Sequence, residues 1–246
     1  MIMTDPHATL ARLDELKLEG MATAYRDNLN LAASERHDPD ELMAHLTEME
    51  YLHRTAQRTD MFLKLSKLRY DAVFEQIECA AERNLTRQQL TALTDGSFIR
   101  RAENLLITGA TGCGKSYLAC AIGRKACMLG IKTLYLGMNR FVERVNLAKL
   151  DGTFIKLLNS IEKFPLVILD DFGLAPMDAN TRLAMMQMLE DSYGRKSTVI
   201  VSQLPLDKWH QAIDEPTLAD AIMDRLSASA HKIELKGASK RGKKVK

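Results

Sequence analysis

The sequence predicts an α/β protein in two parts: a helical segment, then a parallel sheet whose strands are joined by crossover helices. Three observations carry that reading. Residues 5 to about 95 hold almost no strand signal. After Leu93-Thr94-Asp95-Gly96, short apolar runs alternate with helical stretches, the pattern of βαβ units. A glycine-rich octapeptide, Gly109 to Ser116, joins the first of those runs to a helix. With 246 residues the chain can bury a substantial core, as one large domain or as a core plus a smaller module.

In chain order, the first part places Leu10, Leu13, Leu16, Leu18 and Met21, then Leu42, His45, Leu46, Met49 and Leu52, at helical spacing. Between Arg54 and Arg69, the basic residues Arg54, Arg58, Lys64, Lys67 and Arg69 are opposed only by Asp60, while Met61, Leu65 and Leu68 form an apolar stripe. One helix face packs and another is basic. A solvated face is the common origin of such a pattern, and contact with DNA is the alternative. The second part predicts strands at about 104–108, 132–136, 165–169, 197–202 and 230–235. Helices are expected over 115–129, 138–149, 153–162, 178–193 and 217–228, with Gly130 stopping the first and Asp178 capping the fourth. The expected domains are a helical 1–95, a sheet domain 96–236 and a basic tail 237–246.

Charged residues make up 27% of the chain and hydrophobic ones 46%, a globular balance with no apolar stretch long enough to cross a bilayer. The N-terminus lacks the basic and apolar regions of a secretory signal, so a soluble, cytoplasmic protein is expected. The net charge of +2 is unevenly spread: Lys232 to Lys246 contains seven basic residues against Glu234, so the remainder carries −4. Such a tail is either solvated or bound to nucleic-acid phosphates. The cysteines at 79, 113, 120 and 127 form no C-x-x-C pair, which argues against zinc or redox chemistry. Cys120 and Cys127 share one helix face and read as core.

Gly109-Ala110-Thr111-Gly112-Cys113-Gly114-Lys115-Ser116 follows Asn104-Leu105-Leu106-Ile107-Thr108 and satisfies the phosphate-loop pattern G-x-x-x-x-G-K-[ST]. Its glycines let backbone N–H groups turn toward phosphates, Lys115 adds a charge for the outer phosphates, and the Ser116 hydroxyl can hold Mg²⁺. Cys113 occupies a spacer position, and Tyr117 closes the nucleotide-binding stretch. Phe164-Pro165-Leu166-Val167-Ile168-Leu169-Asp170-Asp171 is a buried-strand run ending in two carboxylates, a Walker B pattern. Asp170 would hold the Mg²⁺, and Asp171 would orient or deprotonate the attacking water. Thr198-Val199-Ile200-Val201-Ser202-Gln203 is another strand with a polar end. Ligands gather at the C-terminal ends of parallel strands, so Ser202 and Gln203 should approach Asp171, with Gln203 the candidate γ-phosphate sensor. Arg225 lies in a helical segment with Asp220 and Asp224, with which it could pair, or it could serve a neighbouring subunit's nucleotide.

These residues resemble the IstB-like family of AAA+ ATPases, helper proteins of an insertion-sequence family and relatives of the helicase loader DnaC. The resemblance spans nearly the whole chain. Its motifs are Arg101 to Gly109 leading into the phosphate loop, Val167 to Gly173, Ser197 to Gln203, Ala219 to Leu226, and Lys236-Gly237-Ala238-Ser239-Lys240-Arg241, which looks like a terminal G-x-S-x-R. It implies a P-loop AAA+ core with a five-stranded parallel sheet and a small α-helical domain before it. The chain ends soon after the last strand, so no C-terminal helical lid is expected.

The resemblance further implies ATP and Mg²⁺ as cofactors and an ATPase whose hydrolysis is slow and stimulated by DNA or by oligomerisation. Gln203 matches sensor 1, Arg225 matches the arginine finger, with Arg195 as the other candidate, and Arg241 would act as a sensor 2 substitute. Two departures stand out: Asp171 where many relatives carry Glu, and Gln203 where Asn is common. The expected partners are duplex DNA, a transposase and further copies of the chain with nucleotide between them, and no membrane. Arg58, Lys64, Lys67, Arg69, Lys149 and Lys156 become the DNA candidates, through phosphates and so without sequence preference. The alternatives are a DnaC-like helicase loader and a nucleotide-switched DNA scaffold with negligible hydrolysis.

Overall fold

The computed structural model describes residues 5–239. The chain divides into two compact units, Met1–Met61 and Phe62–Lys246. The first unit is helical. Helices α1 (Pro6–Glu15) and α2 (Glu19–Asn30) precede the long α3 (Pro39–Ser66), whose end belongs to the second unit. Asp5 caps α1 by accepting from the His7 N–H. Glu50 of α3 accepts from the Met21 N–H at 3.1 Å, satisfying a free donor in the first turn of α2, and from Arg54 Nε at 2.6 Å. Burial pushes its carboxyl up, but Arg54 and the Met21 N–H outweigh that and hold it below its usual value.

The second unit begins earlier than the expected boundary near 95. Ala72, Phe74, Leu85, Leu93 and Phe98 are buried in the core beneath the sheet, which makes this stretch part of the sheet-containing unit. Nor does the basic stretch to Arg69 form one helix. Lys67 adopts a left-handed conformation (φ 55°) just past α3, so Lys67 and Arg69 leave the helical face on which the periodicity placed them. Two 3-10 turns follow, then α4 (Arg87–Thr94), with a Thr86/Gln89 capping box, and α5 (Ser97–Arg100).

The sheet is five-stranded and parallel, in the order β2-β3-β4-β1-β5. Its elements are β1 (Asn104–Gly109), α6 (Lys115–Met128), β2 (Thr133–Gly137), α7 (Met138–Leu150), α8 (Phe154–Glu162), β3 (Leu166–Phe172), α9 (Ala179–Ser192), β4 (Ser197–Ser202), α10 (Trp209–Ile213), α11 (Pro216–Ser227) and β5 (Ala230–Leu235). Strand residues alternate between two cores. Leu105, Ile107, Ile168 and Val199 face the side of α6, and Leu106, Leu169 and Ile200 face the side of α9 and α11. Cys120 and Cys127 are buried on α6 as expected. Among the described residues no helix follows β5, and none is long and apolar enough to cross a membrane.

Candidate nucleotide-binding site

β1 and β4 are adjacent and in register, with Leu106 opposite Ile200, so the loop after β1 and Gln203 just past β4 emerge at the same edge of the sheet. Thr111 Oγ1 donates to Gln203 Oε1 at 2.6 Å, bringing the candidate sensor onto the loop. Ser202 turns away from it. Its hydroxyl, fully buried, donates to the Phe172 carbonyl at 2.7 Å and accepts from the Leu204 N–H, tying β3 to β4.

The loop is compact. Lys115 starts α6 and is only 7% exposed, and its Nζ donates to the Ala110 carbonyl at 2.8 Å. Among the described residues its ammonium pairs with no carboxylate, and a buried ammonium is costly unless an anion compensates it. Gly109 (φ 142°) and Gly112 (φ 83°) cannot carry a side chain: a Cβ would lie 2.1 Å from the Leu235 carbonyl oxygen and 2.1 Å from Ser239 Oγ respectively. The loop backbone here packs directly against β5 and the segment beyond it, at a distance that only glycine allows. Cys113 is buried.

The acids stand at the end of β3. Asp170 is 1% exposed; its Oδ1 accepts from the Asp171 N–H at 2.8 Å, and its Oδ2 accepts from the Tyr135 hydroxyl of β2. Asp171 sits at an irregularity in the β3–β4 pairing with φ 63°, a left-handed conformation that aspartate tolerates better than most residues. Its Oδ2 lies 3.3 Å from Arg69 Nη1. Ser116 and Asp170 are hard oxygen donors of the kind Mg²⁺ takes, and among the described residues no cluster of three metal-ligating side chains exists. An ion here would complete its shell with phosphate oxygens and water, as Mg²⁺ does at nucleotide sites.

The remaining predicted residues are spread further. Tyr117 turns its hydroxyl to Gln76 and the Val73 N–H rather than into the loop. Arg225 pairs with neither Asp220 nor Asp224: Asp220 pairs with His210, and Arg225 pairs with Glu190 of α9. The Arg225 carbonyl accepts from Asn104 at the start of β1, and the phosphate loop begins at the other end of that strand, ~17 Å away. Arg195 is exposed near the same end as Arg225 and donates to the Asp191 carbonyl. Arg241 lies outside the described residues, as does the tail from Lys240 on. Arg58, Lys64, Lys67, Lys149 and Lys156 are exposed, and Lys149 rests over the Phe154 ring at 3.7 Å. Arg69 is engaged with Asp171.

Two contributors carried no sequence signal, and a third carried a faint one. Arg83 donates to the Cys113 carbonyl at 2.8 Å and to the Glu78 carbonyl, bracing the loop from a 3-10 turn. Glu190 is the partner of Arg225. Tyr135 was recognisable only as a polar-tipped residue within an apolar strand.

The IstB-like ATP binding protein family matches residues 11–246 of the chain. An insertion sequence ATP-binding protein of Sinorhizobium fredii is 40% identical over 235 residues, covering 96% of each chain. Among solved structures, DnaI superposes with a TM-score of 0.58 at 19% identity, over 68% of this chain and 92% of that one. The replication initiator DnaA bound to AMPPCP and single-stranded DNA superposes with a TM-score of 0.58 at 18% identity, over 70% of this chain and 52% of that one.

Proposed function

The chain belongs to the IstB-like ATP binding protein family, and on that premise we propose that it is an ATP-hydrolysing, DNA-binding helper of transposition. Copies of it assemble on duplex DNA with nucleotide between them, prepare the target and recruit a transposase, in the cytoplasm. What supports this reading is the separation of the candidate residues. Lys115, Ser116, Asp170, Asp171 and Gln203 gather at the C-terminal end of the sheet, while Arg225 stands at the other end. An arginine so placed serves a nucleotide only from a neighbouring subunit.

In this reading Lys115 leaves the Ala110 carbonyl for the outer phosphates, and Ser116 and Asp170 would hold Mg²⁺. The ion would offset charge on the β- and γ-phosphate oxygens. Asp171 orients the attacking water, Gln203 reports the γ-phosphate to the loop through Thr111, and the neighbour's Arg225 stabilises charge building on the transferred group. The DNA contacts fall to Arg58, Lys64, Lys67, Lys149 and Lys156, all phosphate-directed. The segments follow function: 62–239 as the ATPase with the helical residues before it as a partner module.

The test is assembly on DNA. With ATP and a long duplex the protein is expected to sediment as an oligomer bound to DNA, and Lys115→Ala to remain unassembled. A wild type that stays monomeric under those conditions refutes the proposal. Preference for single-stranded DNA and capture of a ring helicase would favour the loader. The Arg69–Asp171 pair favours the scaffold reading, which phosphate release well above background, abolished in Lys115→Ala, would exclude.

A further inference from the structure

We propose that Arg69 is a positioning residue that restrains the hydrolytic acid of its own subunit, holding Asp171 away from the water it must orient until DNA displaces it. This rests on the reading of Asp171 as that acid.

Arg69 reaches Asp171 across 102 residues of sequence, from a segment that is itself fixed. Leu68 on one side packs into the core that contains Ile122 and Ile168. On the other side the Tyr70 ring lies 5.4 Å from the guanidinium. The Arg69 and Tyr70 backbone also meets the buried Cys120 thiol of α6. The guanidinium is thus presented by a rigid stretch rather than by a free side chain. It faces both acids: directly Asp171, and through the Tyr135 hydroxyl, which it also engages, Asp170.

The chemistry of that contact is restraint. A carboxylate oxygen already accepting from a guanidinium is turned toward it and has fewer lone pairs for water. Asp171 is also the shorter of the acids this position can use, so it cannot reach past its partner as a glutamate could. The pair is half-exposed, with side chains 45% and 31% accessible, so it is weak enough to be exchanged. Arg69 follows the last residue of α3 by three positions, and α3 carries the basic residues Arg58 and Lys64. Lys64 belongs to the same unit as Arg69, so charge bound at Lys64 falls beside the segment that holds the pair.

The experiment compares Arg69→Ala and Arg69→Lys with the wild type in phosphate release, with and without duplex DNA, alongside binding of a fluorescent ATP analogue. Arg69→Ala is expected to raise DNA-independent kcat about two- to five-fold, the span a half-exposed ion pair can gate, with KM and analogue affinity unchanged. Arg69→Lys should fall between, and the factor by which DNA stimulates turnover should shrink in Arg69→Ala. An unchanged or lower kcat at intact analogue affinity overturns the proposal. A thermal-unfolding double-mutant cycle on Arg69→Ala and Asp171→Ala reads the pair without turnover. Coupling that is present with a non-hydrolysable ATP analogue and Mg²⁺ and vanishes when duplex DNA is added supports the restraint, and coupling that persists on DNA overturns it. A wild type that never turns over on DNA would instead refute the ATPase reading, and the cycle would still report on the pair.

Discussion

Tyr135 donates its phenolic hydrogen to Oδ2 of Asp170, joining the middle of β2 to the end of β3. Burial, and then the Asp170 carboxylate, push the phenol far above its usual value, so it remains a donor at any physiological pH. Tyr135→Phe leaves an acceptor on a carboxylate that is 1% exposed without its donor. It is expected to cost about 1–3 kcal/mol in urea denaturation. The sign with pH follows. A raised folded-state value stabilises the fold below the ordinary tyrosine value of ~10, and that stability is lost as pH rises above it. Wild type should therefore lose more stability than Tyr135→Phe above that point, and parallel alkaline profiles would disprove the linkage.

Gly112→Ala tests the cradle. The φ of 83° and the 2.1 Å approach to Ser239 Oγ leave no room for a Cβ, so either the loop or the segment after β5 must move. Nucleotide affinity is expected to fall about tenfold or more while the far-ultraviolet circular dichroism is unchanged. Retained affinity would show that the segment after β5 yields freely.

The strands, the crossover helices and the phosphate loop were legible because they depend on local pattern. Apolar runs such as Leu105-Leu106-Ile107 and Leu166 to Leu169 are continuous, as strands buried on both faces must be, and Gly130 and Asp178 punctuate the helices. What was not legible depends on distant packing. Helical periodicity carried Arg69 onto a DNA-facing helix, but a left-handed turn at Lys67 delivered it to Asp171. Asp220 and Asp224 were the near partners of Arg225 in sequence, while the fold supplied Glu190 from α9. α4, α5 and α10 span eight, four and five residues, too short for a periodic signal to stand out.

Glu103 links the entry to β1 with the edge strand β5 by accepting from Arg101 and meeting His231 at 2.8 Å. Arg101 first, then His231, holds its carboxyl down at about 2. A lowered folded-state value contributes stability above the unfolded value near 4.5, and that contribution is lost as pH falls from there toward about 2. Glu103→Gln should flatten this acid limb of the stability profile, measured by thermal unfolding between those pH values. An unaltered limb would mean that the pair forms equally in the unfolded chain.

Arg225→Ala is expected to retain analogue binding and lose about 10³-fold in turnover. Because Arg225 and the phosphate loop lie at opposite ends of β1, mixing Arg225→Ala with Lys115→Ala subunits should restore part of the activity, each supplying what the other lacks. Glu190→Gln removes the charge that competes for Arg225 and should leave turnover equal to or above wild type. No recovery on mixing would move the finger to Arg195.

The salt dependence of DNA binding separates the basic residues by role. Removing one cation that neutralises a DNA phosphate reduces the slope of log K against log salt by about one. Arg58→Ala, Lys64→Ala, Lys67→Ala, Lys149→Ala and Lys156→Ala take away exposed charges and should each lower the slope, with little change in sequence preference. Arg69→Ala should lower it less than the others, because that guanidinium is paired with Asp171 in the free protein. A slope that drops in Arg69→Ala, and in none of the lysine variants, would return Arg69 to the DNA face and leave Asp171 without its restraint.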